Sequence, residues 1–126
     1  MENVTAVYVK MENRPGALER ISRVFQERRT NIEAIMAETS GPAGYVRILS
    51  PKPREMVDLL RQNGIEAYES ETVVASVPNK PGEFFRVSAD LAAAGINLEA
   101  VLTTPDGKLA FRTSDNERAA QILRKL

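Results

Sequence analysis

The chain has 126 residues, enough for one ordinary domain or two very small ones, and 43% of them are apolar. Seventeen basic and seventeen acidic residues cancel, so no overall field attracts the chain to nucleic acid or to an acidic membrane surface. It has no histidine and no cysteine, which excludes disulfides, thiol nucleophiles, the usual zinc sites and imidazole acid–base chemistry.

The first half of the chain predicts the order strand, helix, strand, strand, helix, strand. VTAVYVK at residues 4–10 is rich in β-branched residues, as strands are. Pro15 and Gly16 then end the strand and open an amphipathic helix over about residues 16–28. The remaining elements are strands in NIEAIMAE, GYVRIL and IEAYES, and a helix that begins at Pro53.

The second half repeats these signals. The motif Asn-x-Pro-Gly at residues 13–16 recurs at 79–82, and Asn-Ile-Glu-Ala at 31–34 recurs as Asn-Leu-Glu-Ala at 97–100. Each of the two motifs recurs after 66 residues (79 − 13 and 97 − 31), and a fixed offset of this kind indicates a duplicated domain. The predicted domains are residues 1–70 and residues 71–126.

The second copy predicts the same elements as far as its second helix. ETVVASV is its first strand, and the helix after it, over about residues 82–94, stops at Gly95. Arg29 stands at the equivalent position of the first copy and suits a left-handed backbone less well. The later elements are strands in NLEAVLTT and GKLAFRT and a helix that begins after Ser114 or Asp115.

The expected fold is therefore α+β, two tandem ferredoxin-like βαββαβ units. The second unit reaches Leu126 without its last strand. In this plan the last strand lies beside the first one at the edge of the sheet, so residues 72–77 are left uncovered unless a neighbouring element takes that place.

Alternation and helical spacing predict which side chains face the core. On the second strands they are Ile32, Ala34 and Met36, with Leu98, Ala100 and Leu102 in the second copy. On the helices they are Leu18, Ile21 and Phe25, then Met56, Leu59 and Leu60, with Phe84, Val87 and Leu91 in the second copy.

A βαββαβ unit that contains ENRPGALERISRVFQERRTNIEAI resembles an ACT domain, the small-molecule sensing module of amino-acid metabolism. The first copy is similar to the regulatory end of serine-inhibited phosphoglycerate dehydrogenases, and the whole chain to proteins that consist of two ACT domains. The resemblance implies a non-catalytic regulatory protein that binds a free amino acid between ACT domains. The small size of each half favours a homo-oligomer such as a dimer, and a metabolic enzyme is a further candidate partner.

The resemblance places the ligand against the loop after the first strand and against the start of the second strand. The residues carried over are Glu12, Asn13, Arg14, Pro15, Gly16, Ala17, Leu18, Asn31, Ile32, Asn79, Pro81, Gly82, Asn97 and Leu98. Free N–H groups at the start of a helix suit a carboxylate, and Gly16 lets a ligand approach the backbone. A purely structural interpretation fits as well, with Pro-Gly as the turn and each asparagine bonded to its own backbone.

Two departures from the family pattern bear on the ligand. Serine-binding members have a histidine two residues before the loop asparagine, where this chain has Met11 and Val77. The resemblance therefore does not identify serine as the ligand. Pro78 stands where the first copy has Glu12, which predicts that the second copy's site differs or is empty.

Other functions receive less support. No glycine-rich phosphate loop, metal-ligand spacing or nucleophile–base pair appears, so we expect no catalytic residue, no cofactor and no metal. RNA binding on such a sheet would use Tyr8, Tyr45 and Arg47, but the second copy has Val74 and Lys108 where the tyrosines would be. With no signal peptide pattern and no membrane-length apolar run, we expect a cytoplasmic protein that binds neither nucleic acid nor membrane.

One alternative stays open, a ligand-free protein-interaction or dimerisation module that docks on a metabolic enzyme. Phe85 aligns with Glu19, a position that helical spacing places outside the core. It is either a single surface aromatic or an interface contact.

Overall fold

The computed structural model describes residues 2–77 and 80–124. The elements are β1 (Glu2–Glu12), α1 (Ala17–Glu27), β2 (Ala34–Ser40), β3 (Ala43–Leu49), α2 (Pro53–Gln62), β4 (Ala67–Ser76), α3 (Glu83–Ala93), β5 (Leu98–Thr103), β6 (Lys108–Thr113) and α4 (Asn116–Leu123). They form two compact units, Thr5–Ser70 and Met1–Val4 with Glu71–Leu126, called here the first and second units. The long strands β1 and β4 each contribute residues to both.

The first unit has the strand order β2-β3-β1-β4. Its pairs β1–β3 and β2–β3 are antiparallel, with Val9 opposite Val46 on one side and Ala37 opposite Val46 on the other. Both helices pack against the same face, because their buried side chains share one core with the inward residues of β1 and β3. The large residues of that core are Val7, Val9, Ile21, Val24, Phe25, Val46, Ile48, Met56, Val57, Leu60 and Ile65.

The second unit repeats this arrangement with β4, β6 and β5 as neighbours. Its core is Val73, Ala75, Val87, Leu91, Ile96, Phe111, Ala119, Ala120 and Leu123. Within the described residues no strand follows α4, and the beginning of β1 lies beside β4 in the position that a last strand would take. Val4 belongs to this unit, and its carbonyl accepts a 3.2 Å hydrogen bond from Thr72 Oγ1.

The two strands predicted around Ser70 are a single strand. IEAYES and ETVVASV were expected to be separate, but β4 runs unbroken from Ala67 to Ser76. The sequence around Ser70 and Glu71 contains no glycine, proline or turn dipeptide, so nothing there ends the strand.

The prediction for the second strands is wrong beyond their first inward residue. Ile32 and Leu98 pack against their cores as expected. After them the strand faces change, because Ile35 lies opposite core residue Ile48, and Val101 opposite core residue Phe111. A register shift between Leu98 and Ala100 causes the change in β5. Ala34, Met36, Ala100 and Leu102 therefore lie on the face away from the helices.

The helices follow the prediction in extent and differ in detail. Leu18 and Phe84, expected in the core, are 42% and 48% exposed, and each is the second residue of its helix. In α2 Met56 and Leu60 are buried as predicted, Val57 is buried beside them, and Leu59 is only partly buried. Arg29 and Gly95 both take positive φ, 50° and 73°, so the two copies end their first helix in the same left-handed way.

Candidate functional site

A half-open cleft of about 950 Å³ lies in the first unit. The β1–α1 loop, the β2–β3 hairpin and the segment that leads into β4 meet there, and we call it the loop cleft. Its lining residues are Tyr8, Lys10, Met11, Glu12, Arg14, Pro15, Gly16, Ala17, Arg20, Ile21, Glu38, Thr39, Ser40, Ala43, Gly44, Tyr45, Gly64, Ile65 and Glu66.

Gly16 sets the path of the loop into α1. Its φ of 86° is left-handed, and its carbonyl accepts the N–H of Arg20 at 3.0 Å, which starts the helix. A Cβ at Gly16 would have no atom within 4 Å, so open space adjoins the backbone there. Gly82 has the same conformation in the second unit, with φ 90° and equally open space.

Asn13 joins the loop to the hairpin. Its Nδ2 donates to the carbonyl of Gly41 at 2.8 Å, and its backbone N–H donates to the carbonyl of Pro42 at 3.1 Å. The hairpin itself requires Gly44, because a Cβ there would lie 2.3 Å from the carbonyl oxygen of Glu38. These contacts hold two walls of the loop cleft in register.

The charged lining balances three cations against three carboxylates. Lys10 Nζ lies 3.0 Å from Glu66 Oε2, and Arg14 Nε lies 2.8 Å from Glu12 Oε2. The hydrogen bond and charge of Glu66 raise the pKa of Lys10, and the hydrogen bond from Lys10 lowers the pKa of Glu66. At least half of the surface of each of these four side chains is exposed, so a polar ligand can reach them.

The other two charged groups of the lining form no ion pair within the described residues. Arg20 Nη2 donates to the backbone carbonyl of Asn63, and Glu38 accepts only a long 3.4 Å bond from the hydroxyl of Tyr45. One cation and one carboxylate of the loop cleft thus retain capacity for a ligand with both charges.

Two stacked tyrosines form another wall. The rings of Tyr8 and Tyr45 have centroids 5.8 Å apart and planes 20° apart. The guanidinium carbon of the buried Arg47 lies 5.1 Å from the Tyr8 centroid and 5.9 Å from that of Tyr45. Arg47 Nη1 also donates to Ser70 Oγ at 3.0 Å. We call Tyr8 and Tyr45, with Arg47 against them, the tyrosine shelf.

The structure brings part of the predicted first-copy site together. The residues that line the loop cleft are Glu12, Arg14, Pro15, Gly16 and Ala17. The predicted residues outside the lining are Asn13, Leu18, Asn31 and Ile32. Asn13 bonds the hairpin, Leu18 and Asn31 are exposed elsewhere, and Ile32 packs against the core.

The predicted second-copy residues lie in the second unit. Pro81 and Gly82 are exposed where α3 begins, and Leu98 packs against that unit's core. The backbone of Asn97 is bonded on both sides to Ser114, at 2.9 and 3.0 Å. Asn79 lies outside the described residues.

Several lining residues were not among the predicted ones: Tyr8, Lys10, Tyr45 and Glu66. Tyr8 and Tyr45 are also the residues that RNA binding on such a sheet would use. No local sequence motif contains these four residues, because it is the pairing between the strands β1, β3 and β4 that brings them together. A signal existed in the alternation of β1, which places Tyr8 and Lys10 on one face.

Within residues 2–77 and 80–124, neither a metal-type side-chain cluster nor a membrane-length apolar helix is present. No three side chains of the acidic, histidine or cysteine type are grouped as they would be around a metal ion. No helix there combines the length and the apolar character that a membrane span requires.

The sequence model of the ACT domain pair family matches residues 2–126. Protein BT0572 from Bacteroides thetaiotaomicron has a similar structure, with TM-score 0.89, 21% identity, and coverage of 98% of this chain and 88% of that one. The ligand-free regulatory subunit of aspartate kinase from Thermus thermophilus gives TM-score 0.68 at 13% identity, covering 99% and 97%. No curated protein matches the chain significantly. At these identities the two structures show a shared fold.

Proposed function

The chain belongs to the family of ACT domain pairs, and from this premise we propose that it is a non-catalytic regulatory protein that binds a free amino acid in the loop cleft. The observation that carries the proposal is the lining, three cations and three carboxylates around open space beside Gly16. A free amino acid at neutral pH carries one charge of each sign on adjacent groups, so it matches such a lining better than a singly charged ligand does.

The proposed contacts follow from the chemistry of each wall. The carboxylate of the ligand lies at the start of α1, where the first backbone N–H groups have no partner within the helix and the helix dipole is positive. Arg20, on the next turn, adds a guanidinium. The ammonium group lies toward Glu38, whose carboxylate has only the long bond from Tyr45.

Regulation in this proposal works by a shift in population. The half-open loop cleft leaves one side of a bound ligand facing solvent, and a second copy of the chain covers that side in a homodimer. Ligand then favours the dimer, because it binds that arrangement more tightly than the separate chains. The mass of the protein in solution, measured with and without ligand, checks this step.

A thermal-melt screen against the twenty amino acids tests the proposal. One or a few of them should raise the transition, and at about 100 times the dissociation constant the stabilisation is about 2.7 kcal/mol. A flat result at millimolar concentrations of all twenty would overturn amino-acid binding.

Gly16→Asn and Gly82→Asn form a matched pair that tests the location. Asparagine tolerates the left-handed backbone better than other non-glycine residues, so both variants should fold with similar, small losses of stability. The new side chain fills the space beside Gly16 in the loop cleft, whereas at Gly82 it lies in the second unit. The ligand-induced shift should shrink in Gly16→Asn alone. Equal shifts in both variants would place the ligand elsewhere.

The second candidate function is a protein-interaction module, and the exposed aromatics of α3 favour it. Phe84 and Phe85 are 48% and 75% exposed, a large apolar area at the start of one helix. This function predicts no response to any amino acid in the screen, together with loss of self-association in a Phe85→Glu variant.

A further inference from the structure

The fold does not require the tyrosine shelf. Across β1 and β3, Tyr8 lies opposite Arg47 and Lys10 lies opposite Tyr45. The equivalent pairs of the second unit keep this register without any aromatic ring: Val74 with Ala110, and Ser76 with Lys108. Because the same strand pairing forms there without an aromatic ring, the pairing does not account for the rings in the first unit.

The shelf is held in place before any ligand arrives. Arg47 is only 5% exposed, it bonds Ser70, and it lies against both rings. The stacking of Tyr8 on Tyr45 restricts the two rings further. A wall that is already ordered loses little conformational entropy on binding, which favours affinity.

The charges around the shelf disfavour a charged side chain on the ligand. A cationic side chain over the rings would compete with Arg47, which already interacts with both of them. An anionic side chain would meet the negative ring faces and the carboxylate of Glu38 beside the Tyr45 hydroxyl. A neutral side chain encounters neither repulsion.

The apolar surface that the loop cleft offers a ligand is that of the tyrosine rings. The aliphatic lining residues Ile21 and Ile65 belong to the core and are only 3% and 6% exposed, and Tyr8, which alternates with the core residues Val7 and Val9, lies on the opposite face of the sheet. Tyrosine rings suit a large, flat, apolar group better than a small or polar one.

We infer that the loop cleft selects an aromatic amino acid, whose ring stacks on Tyr8 and Tyr45. This inference rests on the proposed function and names the class of its ligand. The site belongs to the first unit, since the second has neither ring at the equivalent positions.

Isothermal titration of the full chain with phenylalanine, tyrosine and tryptophan, and with serine, lysine and aspartate, tests the inference. The best aromatic amino acid should bind at least about tenfold more tightly than any of the other three, because ring stacking adds to burial. Preference for one of those three would overturn the inference and leave the proposed function standing. Absence of binding by all six in the titration and by all twenty in the melt would overturn both.

Three variants separate stacking from a general effect on the fold. Tyr45→Leu removes a ring of the shelf and should weaken binding of the aromatic ligand about tenfold, whereas Tyr45→Phe keeps the ring and should restore it. Tyr68→Leu is the matched control. The ring centroid of Tyr68 lies 6.5 Å from that of Tyr8, but Tyr68 does not line the loop cleft. Equal losses in Tyr45→Leu and Tyr68→Leu, or no loss in either, would overturn the inference.

Discussion

At the scale of single residues, the two asparagines of the first repeat have different surroundings. Asn13 is fixed to the hairpin by its side chain and its backbone. Asn31 is exposed, and its side chain makes no hydrogen bond within the described residues. Both were predicted to contact the ligand, since each begins a motif that repeats at an offset of 66 residues. Spacing reveals that a residue repeats, but the partner of a side chain depends on tertiary contacts.

Asn13→Ala should therefore destabilise the protein, and Asn31→Ala should not. The first variant loses the bond to the Gly41 carbonyl, and we expect a loss of about 1 kcal/mol in the free energy of unfolding. The second should stay within about 0.5 kcal/mol of the parent. Urea denaturation of the three proteins measures both values. A loss in Asn31→Ala as large as that in Asn13→Ala would show that the hairpin bond does not distinguish them.

At the scale of elements, the two copies end their first helix alike with unequal residues. Gly95 takes φ 73° without a steric penalty, whereas Arg29 is held at φ 50°. The N–H of Arg29 bonds the carbonyl of Gln26 at 3.0 Å, as the N–H of Gly95 bonds that of Ala92. The shared hydrogen bond thus imposes on Arg29 a conformation that costs a non-glycine residue about 1 kcal/mol or more.

Arg29→Gly should stabilise the first unit. Relief of the left-handed strain exceeds the entropy that glycine adds to the unfolded chain, so we expect a gain of about 0.5 to 1 kcal/mol. Arg28→Gly is the control, since φ at Arg28 is −92° and glycine there brings only its entropic penalty. Denaturant unfolding should move in opposite directions for the two variants. A destabilised Arg29→Gly would contradict the strain argument.

Element boundaries were more predictable than strand faces. Pro15, Gly16 and Pro53 act within one or two residues, so the helix starts were evident from the sequence. The face of β5 depends on a register shift between Leu98 and Ala100, which is a property of its pairing with β6. The loop half of the site was likewise local in sequence, whereas Tyr8, Tyr45 and Glu66 meet only through long-range pairing. The strand faces were predicted wrongly because distant segments decide them, and the site residues stay a prediction.

At the scale of the whole molecule, β1 lies beside β4, whose edge over residues 72–77 was predicted to be uncovered. The first residues of β1 belong to the second unit, where Thr72 bonds the carbonyl of Val4. Val4 of β1 accepts a hydrogen bond from Thr72, and Lys10, further along β1, donates its N–H to the carbonyl of Glu66, which precedes β4. Later residues of β1 thus bond earlier residues of the other segment, as in an antiparallel pair. One long strand thus supplies an edge partner to a repeat that has no last strand of its own in the described residues.

Deletion of residues 2–4 should therefore uncover β4 in the second unit and leave the first unit's pairing intact. Backbone amides over residues 71–76 should exchange with solvent faster, because an exposed edge strand loses its hydrogen-bonded neighbour. Residues 43–49 serve as the internal reference, since they pair with Ala6–Glu12 of β1, which the deletion leaves in place. Thr72→Val is the matched substitution, which removes the side-chain bond to Val4 and keeps the strand. Hydrogen exchange measured by mass spectrometry distinguishes the two effects. Unchanged exchange over residues 71–76 in the deletion variant would mean that β1 does not protect this edge, whereas faster exchange there, with residues 43–49 unaffected, would show that it does.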